Sequence, residues 1–165
     1  MNRSPALCAI AIVASLLSAC GRTELSGPPT IRLGQDECAG CGMLVSEDRC
    51  SCALLVEEDR GRTHLVFDDM GCLLDYRTKH SECTIIEVFV RDYSARSWLT
   101  ANTAYFLTRT NDTLTTPMGS GIVAFGSKDA AEAQGKISGG EVMQYEQVEN
   151  LRREKREARR AEGPP

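Results

Sequence analysis

The chain has 165 residues, eight of them cysteine, and 23 Asp and Glu outnumber 19 Lys and Arg to leave a net charge of −4. That mild acidity excludes a general nucleic-acid-binding surface, because phosphates demand a basic one. The length suits one compact domain, or two small subdomains sharing a core.

Residues 1–19 read as a signal segment: Arg3 precedes an apolar run from Ala6 to Leu17 that is too short to span a bilayer. Leu17-Ser18-Ala19-Cys20 resembles the lipobox of bacterial lipoproteins, in which diacylglycerol joins the cysteine sulfur and the chain is cut just before it. An ordinary secretory signal that leaves Cys20 free is the alternative, and either reading predicts export. Each buried methylene contributes about 0.8 kcal/mol, so several acyl chains on Cys20 would anchor the protein without a transmembrane helix. Gly21, where Asp would retain a Gram-negative lipoprotein at the inner membrane, leaves outer-membrane sorting open. Residues 20–35 are then a flexible tether, with Thr23–Thr30 rich in Gly, Pro and small polar side chains.

The folded part is expected over residues 36–148. It opens with Cys38-Ala39-Gly40-Cys41-Gly42-Met43, two thiols and a thioether within six residues. The Cys-x-x-Cys spacing lets two sulfurs share one ion, and the glycines free the backbone to curl around it. A thioether has no charge and no proton to lose, so Met43 favours Cu(I) over Zn(II).

Further along, Cys52–Val56 and Thr63–Phe67 are apolar runs separated by Glu57-Glu58-Asp59-Arg60-Gly61, the pattern of a hairpin. Asp68 or Asp69 then caps a helix in which Met70, Leu73, Leu74 and Arg77 recur at helical spacing to about Lys79. Thr84–Arg91 is a β-branched strand, expected to place Ile86, Val88 and Val90 on one face and Ile85 and Phe89 on the other. Tyr105–Thr110 and Gly121–Phe125 are further strands, broken apart at Thr115-Thr116-Pro117. Ser127 or Asp129 caps a second helix that Gly135 is expected to end. The segments 64–69 and 122–127 both run strand, phenylalanine, cap and helix at an offset of 58, and Met43 and Met118 each stand beside a glycine ahead of such a unit. This is compatible with an internal duplication, and equally with coincidence, since a strand followed by a capped helix is a common arrangement. Residues 149–165 are highly charged and read as a frayed, solvated helix or tail, with attraction to anionic lipid as the alternative.

Export places six further thiols, Cys38, Cys41, Cys50, Cys52, Cys72 and Cys83, where disulfides usually form. Three bridges in fifteen pairings are conceivable, although Cys50 and Cys52 flank one serine and would bridge each other only with strain.

Four fragments together resemble one family: Cys38-x-x-Cys41-Gly42-Met43, Phe67-Asp68-Asp69-Met70-Gly71-Cys72, Asp92-Tyr93 with Trp98 and Ala101, and Pro117-Met118-Gly119-x-Gly121-x-x-Ala124-Phe125. The chain is similar over residues 36–150 to NosL, the copper-binding accessory lipoprotein of nitrous-oxide reductase. The resemblance implies an α+β fold of two small related subdomains, each of short antiparallel strands with one helix. It also implies a periplasm-facing Cu(I) metallochaperone, not an enzyme, that supplies the reductase's multicopper sulfide centre together with a membrane ABC-type maturation complex. Cys50, Cys52 and Cys83 depart from the family pattern.

The expected metal ligands are Cys38 and Cys41, with Met43 and Met118 as competing thioether donors. Met70 is expected in the core, Cys72 as a small buried hydrophobe, Trp98 as a core anchor, and His64 and His80 as reserve ligands. Two other readings compete. Cys38 and Cys41 could serve an exported thiol-disulfide oxidoreductase, although no clear helix signal follows the motif. Alternatively, Cys38, Cys41 and two of Cys50, Cys52 and Cys72 could close a structural zinc site. Attachment of c-type haem is disfavoured because Gly42 stands where histidine is required.

Overall fold

The computed structural model describes residues 24–162 apart from Asp112, so the signal segment and Cys20 lie outside the described residues. Elements run β1 (Cys52–Glu58), β2 (Gly61–Phe67), α1 (Met70–Lys79), β3 (Thr84–Arg91), β4 (Trp98–Thr100), β5 (Tyr105–Thr108), β6 (Val123–Phe125), α2 (Lys128–Ser138), β7 (Glu141–Met143) and α3 (Tyr145–Glu162). They form an α+β fold with two antiparallel sheets, ordered β2-β1-β3-β4 and β6-β5-β7.

The two halves share a plan. In each, a central strand (β1 or β5) pairs with the strand that follows it and, after a helix, with a third strand on its other side. Phe67 and Phe125, 58 residues apart, are both fully buried, and Asp69 and Ser127 both cap a helix. The methionine match does not belong to this repeat: Met43 precedes β1, whereas Met118 lies between β5 and β6.

The hairpin turns tightly at Asp59-Arg60, since Glu58 pairs with Gly61, whose φ of +112° suits a residue without a side chain. Residues 52–56 of β1 are buried on both faces. Cys52, Leu54 and Val56 face the main core, and Ala53 and Leu55 pack with Phe89 on the other side. Along β3 the expected alternation fails at one point. The register slips so that Leu55 faces Glu87 while Val56 faces Ile85, a bulge at Ile86. The extra residue puts Ile85 on the core face with Val88 and Val90 and leaves Ile86 exposed. Trp98 likewise misses the main core. It is half-buried on the outer face against Phe89, with the Arg91 guanidinium 4.1 Å from its ring centroid.

Asp92 joins the sheets. Its backbone bridges to Ala124, Gly126 N–H donates to its Oδ2 at 2.7 Å, and Ser94 and Ala95 N–H donate to its Oδ1 at 2.8 and 2.7 Å. One core therefore spans both halves, with Leu54, Phe67 and Leu73 packed in the same cluster as Phe106, Ile122 and Val148. A smaller cluster under α2 holds Leu107, Val123, Phe125 and Ala131. Gly135 does not end α2. A Cβ there would stand 3.3 Å from Leu107 Cδ1, so α2 packs closely on β5 at this point, and the chain leaves helix at Gly139, φ +65°.

Helix α3 begins ahead of the charged segment and binds its first half to the body. Tyr145 and Val148 are buried, Arg77 bonds Tyr145 and Glu149, and Arg152 makes a two-pronged 2.9 Å contact with Asp75 that Arg156 joins at 3.1 Å. Residues 157–161 are exposed on every side. At the other end, the Gly/Pro-rich stretch lies against β2 from Glu24 onward. Arg62 pairs with Glu24 at 3.0 Å, the Gly27 carbonyl meets His64 Nε2 at 2.8 Å, and Pro29 is buried. Among the described residues, no helix is long and apolar enough to cross a membrane.

Candidate metal centre

Residues 32–45 fold back on themselves. Gly34 N–H donates to Val45 O, Val45 N–H to Asp36 O and Cys38 N–H to Met43 O, at 2.7–2.8 Å. At the tip, Cys41 and Gly42 N–H both bond the Cys38 carbonyl at 3.3 and 2.8 Å, and Gly42 takes φ +75° to complete the turn. Ala39 N–H donates to Val66 O at 2.8 Å and pins the tip to β2. Gly40 lies on α1 so closely that a Cβ there would come 2.9 Å from the Cys72 carbonyl oxygen.

That approach brings together the Cys38, Cys41 and Cys72 sulfurs, all within 4.8 Å of one another. Metal–sulfur bonds of about 2.3 Å in a trigonal plane set sulfurs roughly 4 Å apart, so the three fit around one soft ion with little movement. Cys38 is buried, Cys72 half-buried and Cys41 exposed. Cys38 and Cys41 thus meet as expected. Cys72 is a third candidate ligand, which the copper reading of the sequence passed over and only the zinc alternative named. Its position just inside a capped helix start gave it the look of a packing residue, and the usable signal was its place in the fragment Phe67–Cys72.

The electrostatics suit metal capture. A hydrogen bond from the Cys72 thiol, helped by the Asp68 and Gly40 backbone, holds the Cys38 pKa down to about 5. Cys72 is correspondingly raised, because it keeps the proton that it donates. Cys41 is raised by partial loss of water and by the neighbouring Cys38.

The paired aspartates of the α1 start fasten both methionine-bearing segments. Asp68 accepts from Ser46 N–H at 2.7 Å and Glu47 N–H at 3.3 Å, just after Met43. Asp69 is fully buried and accepts from Gly71 N–H (2.6 Å), Thr116 Oγ1 (2.5 Å), Met118 N–H (3.2 Å) and Ser120 N–H (3.4 Å). The 116–121 loop is thereby held at the helix end that carries Cys72. Met43 and Met118 are 50 % and 40 % exposed, high values for thioethers.

Other sulfurs and imidazoles stand apart. No disulfide occurs among the described residues. Burial pushes Cys50 up to about 12 and raises Cys52 as well, marking both as inert packing thiols. Of the reserve ligands, His64 is held by Gly27, and His80 stacks on Tyr76 at 4.2 Å with Nδ1 3.3 Å from Glu82. Met70 is buried in the core as expected. A cleft of about 940 Å³ opens between residues 108–122 and α3, but no sulfur or imidazole lines it.

The family model for NosL matches residues 30–151, nearly three-quarters of the chain. The chain belongs to the NosL family. Its fold is that of a solved member, the copper chaperone NosL from Shewanella denitrificans, with a TM-score of 0.60 at 22 % identity over 73 % of this chain and 93 % of that one. No curated protein matches. In NosL terms, the family fragments fall into two groups here: Cys38–Met43 and Phe67–Cys72 build the thiol cluster, and Asp92 with Ala124 joins the sheets.

Proposed function

We propose that this NosL-family protein is an exported, lipid-anchored Cu(I) metallochaperone that carries copper to nitrous-oxide reductase for assembly of its multicopper sulfide centre. The observation that carries this reading is the cluster of three sulfurs within 4.8 Å, one of them exposed. Cu(I) accepts two or three soft ligands, so an ion held by Cys38, Cys41 and Cys72 remains open to attack by an acceptor's ligand. Met43 and Met118 are the thioethers proposed to join or replace a thiolate during transfer. The copper chaperone of like fold supports the choice of metal.

Anchoring through Cys20 would hold the carrier at a bacterial membrane facing the periplasm, with the outer membrane favoured. Its partners would be the reductase and the ABC-type maturation complex, with no nucleic acid involved and no reaction catalysed. The competing readings fit the site less well. An oxidoreductase that turns over rapidly needs its activated thiol at the surface, whereas here the depressed thiol, Cys38, is buried and the exposed Cys41 is raised, an arrangement suited at most to slow, stoichiometric exchange. A closed zinc site needs four ligands, and neither Cys50 nor Cys52 joins the cluster.

Anaerobic titration of the fully reduced soluble form lacking residues 1–20 should show uptake of one Cu(I) against a competing chelator, followed by release to apo reductase. Protein that ignores Cu(I) under those conditions would overturn the proposal. Unfolding on chelation would instead favour structural zinc.

A further inference from the structure

We propose that the thiol cluster is also a site of thiol-disulfide exchange, at which a disulfide-bearing small molecule or protein converts Cys38 and Cys41 into an intraloop disulfide. Its consequence for metal loading rests on the copper-carrier reading.

Exposure sets the order of attack, and the shared turn of Cys38 and Cys41, rather than sulfur separation, favours the pair. Cys41 is the exposed sulfur, Cys38 is 1 % exposed, and Cys72 is half-buried on α1, so an incoming disulfide meets Cys41 first. The Cys41 sulfur attacks one sulfur of R–S–S–R, forming a mixed disulfide and expelling one RS⁻. The Cys38 sulfur, already within 4.8 Å, then attacks Cys41 Sγ and expels the second RS⁻. Two protein thiols are oxidised by two electrons, the donor disulfide is reduced to two thiols, and the two protons leave with them.

Cys38 and Cys41 belong to one turn, closed by the bonds from Cys41 and Gly42 N–H to the Cys38 carbonyl, and Gly40 and Gly42 let that turn tighten. Cys72 sits on α1, outside that turn, and is expected to keep its thiol. Oxidation removes two of the three sulfur donors, so the disulfide form should not hold the ion. Export, if it occurs, brings the cluster to the compartment where such donors act.

Reduced apo protein incubated with oxidised glutathione, digested with trypsin and weighed gives a direct answer. Cys38 and Cys41 share the peptide Leu33–Arg49, whereas Cys72 falls in Thr63–Arg77. The expected product is peptide 33–49 lighter by two hydrogens, with Cys72 still open to alkylation. Cys38→Ser should instead accumulate glutathione on Cys41, and Cys72→Ser should leave the intraloop bridge intact. A crosslink between the two peptides, or three free thiols after incubation, overturns the proposal. Cu(I) uptake should fall at least tenfold on oxidation and return on reduction. Because the mass measurement needs no metal, a bridge that forms in protein unable to bind Cu(I) in either state would sink the copper reading and leave the exchange site standing.

Discussion

At the scale of single residues, the site depends on a side chain that is absent. Gly40 lets the Cys38–Met43 turn lie on the first turn of α1, and only that contact brings Cys72 to the other two sulfurs. Cys72→Ser should therefore lower Cu(I) affinity by at least about 100-fold, beyond the roughly 10–100-fold typical of residues that merely support a ligand. Competition titration checks this, and an unchanged affinity would return Cys72 to a packing role. The protonation pattern gives a second expectation. Metal competes with protons, so affinity rises with pH. Cys38, held down to about 5, is already a thiolate at neutral pH, while Cys41 and Cys72 are raised and must each lose a proton on binding. The affinity should climb by about two decades per pH unit between roughly pH 6 and 8, and more steeply below about 5, where Cys38 too is protonated. A slope of three across neutrality would mean that Cys38 is an ordinary thiol.

Among the elements, α1 organises the site and α3 braces α1. The start of α1 carries Asp68, Asp69 and Cys72, so the same turn that supplies a sulfur also fastens the segments bearing Met43 and Met118. Asp75, one turn further, receives Arg152 and Arg156 from α3. Ending the chain after Arg156 removes, among the described side chains, only the exposed 157–161 and should leave stability within about 0.5 kcal/mol. Ending it after Asn150 deletes both arginines and the partly buried Leu151 and should cost about 1–2 kcal/mol, discounted for the partial exposure of the ion pairs. Urea denaturation of the two shortened chains would distinguish them, and equal stabilities would mean that α3 is only a passenger.

For the whole molecule, the question is how two small sheets behave as one body. The shared core and Asp92 do the joining, and Asp92 satisfies three backbone N–H groups from both halves. Asp92→Ala leaves those donors without their acceptor and should cost about 2–4 kcal/mol, with faster amide exchange in β5, β6 and β7 than in β1. A loss below about 1 kcal/mol would show that the apolar core alone couples the halves.

The sequence by itself determined the local features: the hairpin at 52–67, the Asp69-capped helix, the strand at 84–91, the Cys38/Cys41 pair and the family resemblance. These follow from side-chain periodicity, capping chemistry and motif spacing, all readable from neighbours in the chain. Tertiary structure alone decided what depends on distant partners. The bulge at Ile86 arises from register against β1, Gly135 stays helical where α2 packs closely on β5, and Trp98 packs outward because its register opposite Arg91 puts it on the Phe89 face. Cys72 becomes a third candidate sulfur donor for the same reason: a residue 31 positions from Cys41 reaches it only when β2, α1 and a bare glycine stack in space, and periodicity carries no information about that meeting.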